Sequence, residues 1–151
     1  MRTWAEIDLT ALEHNYRTLR AMLPRECRFL GLCKANAYGH GAAVIGHTLE
    51  RLGADMLAVA CVSEAEELRQ SGVKLPILCL GETPEELIPL LLELDVTQMV
   101  EDLETGRRLS AAAQRAGRTL RVHVKLDTGM SRLGFLWEAG REEETADEIA
   151  R

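Results

Sequence analysis

The sequence predicts an α/β fold made of consecutive βα units; two observations give a parallel sheet, and a third favours a β/α barrel over an open doubly wound sheet. Short apolar runs alternate with amphipathic segments five times along the 151 residues. The runs end near Lys34, Val62, Leu80, Val100 and Asp127, with one helix between each pair, which is the spacing of a parallel sheet. The last run, TLRVHVKLD (119–127), alternates Leu120, Val122, Val124 and Leu126 with Arg121, His123 and Lys125. A sheet covered by helices on both sides needs apolar residues on both faces, whereas a barrel with a ligand site can turn one polar face into its lumen. An edge strand of an open sheet gives the same alternation, so that alternative stays open.

Each element has its own signals. Thr10 with Glu13, Ser63 with Glu66, and Thr83 with Glu86 have capping-box spacing, in which hydroxyl and carboxylate satisfy the amides left free at a helix start. Leu12, Tyr16, Leu19 and Leu23 recur at three- and four-residue intervals and gather on one face of the first helix. The runs 28–34, 56–62, 76–81, 96–100 and 119–127 are short enough to be strands and are flanked by turn or cap residues. Gly53, Gly72 and Gly117 supply helix stops, Pro84 suits a first helical position, and Pro89 should kink its helix. The acidic end REEETADEIAR reads equally as the start of another helix or as a solvated tail.

Composition narrows the function classes. Apolar residues make up 46% of the chain and aromatics 4%, so the core is built from Leu, Val, Ile and Ala rather than from stacked rings. A net charge of −6 offers no basic surface for phosphate backbones, which argues against nucleic acid as a partner. Cys27, Cys33, Cys61 and Cys79 have no C-x-x-C spacing, and the last three sit in apolar runs, so they read as reduced core thiols. The N-terminus has acidic residues where a signal peptide would be apolar, and no run approaches the roughly 18 residues of a membrane span. No membrane contact and a cytoplasmic location are the expectations.

Lys34 ends the first strand, where barrel and open-sheet enzymes alike keep their reactive groups. A partly desolvated lysine loses its proton more readily, and its neutral amine can form a Schiff base with an aldehyde. Gly39 and Gly41 would let the backbone turn tightly beneath a flat cofactor. Spacing alone leaves an ordinary surface lysine as the competing reading.

The wording KANAYGHG, residues 34–41, closely resembles the pyridoxal 5'-phosphate attachment motif of the alanine racemases. KLDTGMSRLG (125–134) resembles the second signature of that family, and WAEIDLTALEHNYRTLR (4–20) resembles its N-terminus. The resemblance covers roughly residues 2–136, with Leu32 standing where the motif usually has valine. It implies that Lys34 is the Schiff-base lysine and exchanges the α-proton on one face of L- or D-alanine. Tyr38 would contact the cofactor phosphate. Lys125 would correspond to a lysine often carbamylated in the family, and Arg132 would orient the cofactor and the substrate carboxylate, for which its fork of donors is suited. Leu80 and Met130 are candidate lining residues, with apolar packing as the alternative; His40 either fixes the loop or is a partly exposed residue at a helix start. His123 reads as a lumen-filling residue.

No metal is implied. The resemblance further implies that the full-length protein is a homodimer in which a tyrosine from the partner's C-terminal β-domain serves the opposite face. A complete barrel takes about 250 residues, so residues 1–151 are expected to be the N-terminal part of a cofactor-binding barrel domain, with the C-terminal β-domain absent and activity of the chain alone doubtful. A non-catalytic cofactor-binding barrel module, and a racemase acting on serine or on several amino acids, are the alternatives.

Overall fold

The computed structural model describes residues 2–151. Its elements run α1 (Leu9–Ala21), β1 (Leu30–Leu32), a short turn α2 (Lys34–Tyr38), α3 (Ala42–Leu52), β2 (Met56–Val59), α4 (Val62–Gln70) and β3 (Ile77–Cys79), then a 3-10 turn (Glu85–Leu87) leading into α5 (Ile88–Glu93). They continue with β4 (Thr97–Val100), α6 (Leu103–Arg115), β5 (Val122–Val124), β6 (Leu126–Asp127), β7 (Phe135–Leu136) and α7 (Glu142–Ala150).

The strand order settles the choice between architectures. The main sheet runs β1-β2-β3-β4-β5 and every neighbouring pair is parallel. Parallel crossovers are right-handed almost without exception, so a sheet that always grows in one direction carries its crossover helices on one face. A doubly wound sheet reverses direction at a switch point. No reversal occurs among the described residues, and the five strands form the singly wound start of a barrel.

Two apolar clusters lie on opposite faces of this sheet. On the helix side Leu57, Val59, Ile77, Cys79 and Val100 pack with Ile45, Leu49, Leu68, Leu91 and Leu109. Gly31 lets α3 approach β1, since a Cβ there would lie 2.5 Å from Leu49 Cδ1. The other face carries Ala58, Leu78 and Met99, flanked by Met56 and Leu80, and Leu30 and Leu32 extend it into the open. Gln98, buried in β4 beside the buried Thr97, has its side chain satisfied: its Oε1 accepts from the Thr83 hydroxyl at 2.6 Å, while Nε2 donates to the carbonyls of Gly81 and Met99 at 2.8 and 2.9 Å. This side chain ties the loop after β3 to β4.

Several local expectations shift. Asp8, not Thr10, caps α1, because its carboxylate accepts the amides of Thr10 and Ala11 at 2.8 and 3.1 Å. The Thr83 hydroxyl is taken by Gln98, and Glu64 rather than Glu66 reaches back across the start of α4 to the Ala60 amide. Of the residues expected on the buried face of α1 only Tyr16 is buried, its ring edge-on to Phe29 at 4.8 Å, while Leu19 is exposed. Pro89 lies in the first turn of α5, where no N–H is needed, and causes no kink. Cys61 is exposed because β2 ends at Val59, whereas Cys33 and Cys79 are buried; all four thiols are free. Run 119–127 splits, since after Lys125 N–H donates to Val100 O the Lys125 carbonyl accepts from Phe135, and the chain changes partner from β4 to β7. Segment 142–150 is helical.

Candidate active site

Lys34 leaves the C-terminal end of β1, half-buried, and by strand alternation it lies on the face opposite the helices. The backbone beyond it is unusual. Ala35, Asn36, Ala37 and Tyr38 have φ of 51, 52, 51 and 54°, a left-handed turn of non-glycine residues. Such residues cost roughly 1–2 kcal/mol each in that conformation, so the turn persists only because other groups hold it. Ala37 N–H donates to Cys33 O at 2.9 Å, and the amides of Gly39 and Gly41 reach Ala35 O and Asn36 O at 3.0 Å. The Asn36 side chain accepts the Ala42 amide at 2.7 Å and joins the turn to α3. His40 Nδ1 lies 2.9 Å from Ala37 O, so this side chain braces the turn. Gly39 and Gly41 follow with φ of 84 and 93°.

The turn brings Tyr38 back under Lys34, whose Nζ stands 5.8 Å from the ring centroid, within cation–π range. The Tyr38 ring is exposed. Leu80 follows β3 on the face shared with Ala58, Leu78 and Met99. Lys125 also stands at a strand C-terminal end, that of β5, four strand steps from Lys34, about 19 Å along the sheet at ~4.8 Å per strand, and Arg132 lies in the loop between β6 and β7. Lys125 is half-buried and its Nζ donates to Leu126 O at 3.1 Å. Met130 and Arg132 are exposed.

Asp127 organises the loop that carries Arg132. Its Oδ1 accepts the amides of Gly129 and Ser131, each at 3.0 Å. These bonds, that of Ser131 foremost, hold the carboxyl below the ordinary aspartate range. A depressed folded pKa contributes order that is complete above the unfolded value of about 3.9 and is lost as pH falls through the folded value. Amide protection at Gly129 and Ser131, corrected for intrinsic exchange, is therefore expected to hold from neutral pH to about 4 and to fall only below that. Asp127→Asn should remove the acid step; a step centred near neutrality would contradict the assignment. Gly134 closes the same loop, since a Cβ there would lie 2.7 Å from both Lys125 Cγ and Lys125 O.

One carboxylate here escaped the sequence reading. Arg132 lines a depression of about 540 Å³ with Glu101, Asp102, Asp127 and Ser131. Glu101 Oε2 is buried there without a hydrogen-bond partner among the described residues, and desolvation, helped by Glu82 and Asp102, raises its pKa. The signal was available, because Glu101 directly follows β4, the kind of position that singles out Lys34.

Residues 7–150 match the family described as alanine racemase, N-terminal domain. The chain belongs to this family. Alanine racemases from Desulfovibrio desulfuricans and Methanococcus maripaludis are 44% and 43% identical to it over 131 and 135 residues, covering 87% and 89% of this chain but only 35% and 36% of the relatives. The structure of alanine racemase from Clostridium difficile 630 in complex with cycloserine superposes with a TM-score of 0.92 at 41% identity, covering 99% of this chain and 40% of that one. The Bacillus anthracis alanine racemase with bound L-Ala-P gives 0.84 at 30% identity, with 98% and 38% covered. The chain thus spans a little over a third of the length of these alanine racemases, and the five-stranded sheet is their N-terminal barrel region. No helix among the described residues is long and apolar enough to cross a membrane.

Proposed function

We propose that residues 1–151 form the N-terminal part of a pyridoxal-phosphate-binding barrel domain, and that the protein containing them interconverts L- and D-alanine, supplying D-alanine for peptidoglycan. The observation that carries this reading is the half-buried Lys34 amine at the C-terminal end of β1, held over the Tyr38 ring by a strained turn. The residues fit the cofactor: an amine for its aldehyde, a phenol hydroxyl for its phosphate, and an open apolar floor at Leu30 and Leu32 for a flat ring. When bound, the cofactor supplies the electron sink for the charge left by a departing α-proton.

The protein's own groups do the rest. Lys34 Nζ would hold the cofactor and carry the α-proton on its own face of the substrate. Inversion needs a second carrier on the opposite face, which the family resemblance assigns to a tyrosine of the partner's C-terminal β-domain, so the whole protein acts as a homodimer. Arg132 offers a planar fork for the alanine carboxylate, and Lys125, if carbamylated, would supply an anion that such a fork can bind. The free thiols suit a cytoplasmic location.

The test is D-alanine formation from L-alanine by the full-length protein with added cofactor, beside an Arg132→Ala variant. Turnover above the slow background of free cofactor is expected, and the variant should lose about 10² in kcat/KM with a raised KM, as when a positioned charge-assisted contact is removed. Tight cofactor binding with no turnover would favour a non-catalytic binding module. Turnover faster on serine would reassign the substrate, and wild-type kinetics in the variant would return Arg132 to the surface.

A further inference from the structure

We propose that Glu64 is a positioning residue for Lys34, ending the β1–β2 ladder so that the turn carrying the lysine can form. The proposal rests on the reading of Lys34 given above. The last paired residues of these strands are Leu32 and Ala58, and Cys33 N–H still donates to Ala58 O at 2.8 Å. In a parallel ladder the next two donors would be Ala60 N–H, to Cys33 O, and Ala35 N–H, to Ala60 O. Neither bond is made. Glu64 takes both donors, Oε2 accepting Ala60 N–H and Oε1 accepting Ala35 N–H, each at 2.7 Å.

The consequence falls on the residue between. Cys33 O, released from the ladder, accepts Ala37 N–H at 2.9 Å, the bond that closes the left-handed turn. Ala35 is bonded directly to Lys34, so the carboxylate fixes the peptide plane from which the Lys34 side chain departs. Two short bonds to an ionised acceptor are of the strong kind. Glu64 also lies in the first turn of α4, where a negative charge is favoured. A helix-cap role alone accounts for the Ala60 bond but not for the bond to Ala35, 29 residues away.

The experiment compares Glu64→Gln, Glu64→Ala and, as a control on the same helix, Glu66→Ala in the full-length protein. Gln keeps one acceptor oxygen but meets the second amide with an NH2 group, so it can keep one bond of the two; Ala keeps neither. Exchange at the Ala35 and Ala60 amides in the cofactor-free protein should quicken at both sites in Glu64→Ala and mainly at one in Glu64→Gln. Cofactor incorporation trapped by borohydride, and kcat for alanine, should fall in the same order, by about 10²-fold for Ala, with KM moving much less. Glu66→Ala should match wild type. If the two Glu64 variants lower thermal stability while Ala35 exchange, trapping rate and kcat of the folded protein stay at control values, Glu64 is only a helix cap and the proposal fails. If the Ala35 amide responds but the trapped cofactor sits on another lysine, the clamp stands and the reading of Lys34 is what fails.

Discussion

Lys34→Ala in the full-length protein is expected to lower alanine racemisation by about 10³-fold or more. The substitution removes the covalent anchor of the cofactor and one of two proton carriers together, and a positioned carrier alone is worth about 10² to 10⁴. Backbone collapse would not explain such a loss. The turn is held by Cys33 O, Asn36 Oδ1 and Glu64, none of which depends on the lysine side chain. The variant should therefore fold with wild-type circular dichroism and melting behaviour. Lys34→Arg tests charge against chemistry, since it keeps a cation near Tyr38 but offers no amine that deprotonates, and it should be as inactive as Lys34→Ala. Substantial turnover in either variant would remove Lys34 from the reaction.

The second large effect is expected from the 151-residue chain assayed alone: with added cofactor it should not exceed its own Lys34→Ala variant by more than a small factor. Its five strands form only an arc, with Lys34 at the end of β1 and Lys125 at the end of β5, so the lumen between them is left open on the remaining side. The second proton carrier is the one that the family resemblance assigns to the C-terminal β-domain of a partner subunit. The sheet edge at β5 is also bare, with Val122 and Val124 about half exposed beside an apolar groove of about 380 Å³ against α6. An apolar edge of this kind invites pairing with another copy, so the isolated chain should self-associate as well. Turnover near that of a whole alanine racemase would contradict the need for the remaining two-thirds of the length of the relatives.

What could be read in advance follows from how local each feature is. The strand ends at Lys34, Leu80 and Val100 were legible because an apolar run followed by a polar or loop residue is a short-range signal. The singly wound order came from the structure, since the alternation along β5 fitted an edge strand equally well. The left-handed turn was hidden for a physical reason: of Ala35, Asn36, Ala37 and Tyr38 only asparagine favours that conformation. It is imposed from outside, by Cys33 O and by a carboxylate 29 residues away. The caps failed similarly. Thr10, Ser63 and Thr83 have the right spacing, but Asp8 takes the first amides of α1, the Thr83 hydroxyl donates to Gln98, and at α4 the carboxylate that reaches back is Glu64, bound to the Ala60 amide.

The placement of the cofactor on Lys34 is the claim on which the others depend. Borohydride reduction of the cofactor-loaded full-length protein, followed by proteolysis and mass mapping, tests it directly. One pyridoxyl group on the peptide containing Lys34 is the predicted result; a label on Lys74, on Lys125 or on a lysine outside this chain would contradict it.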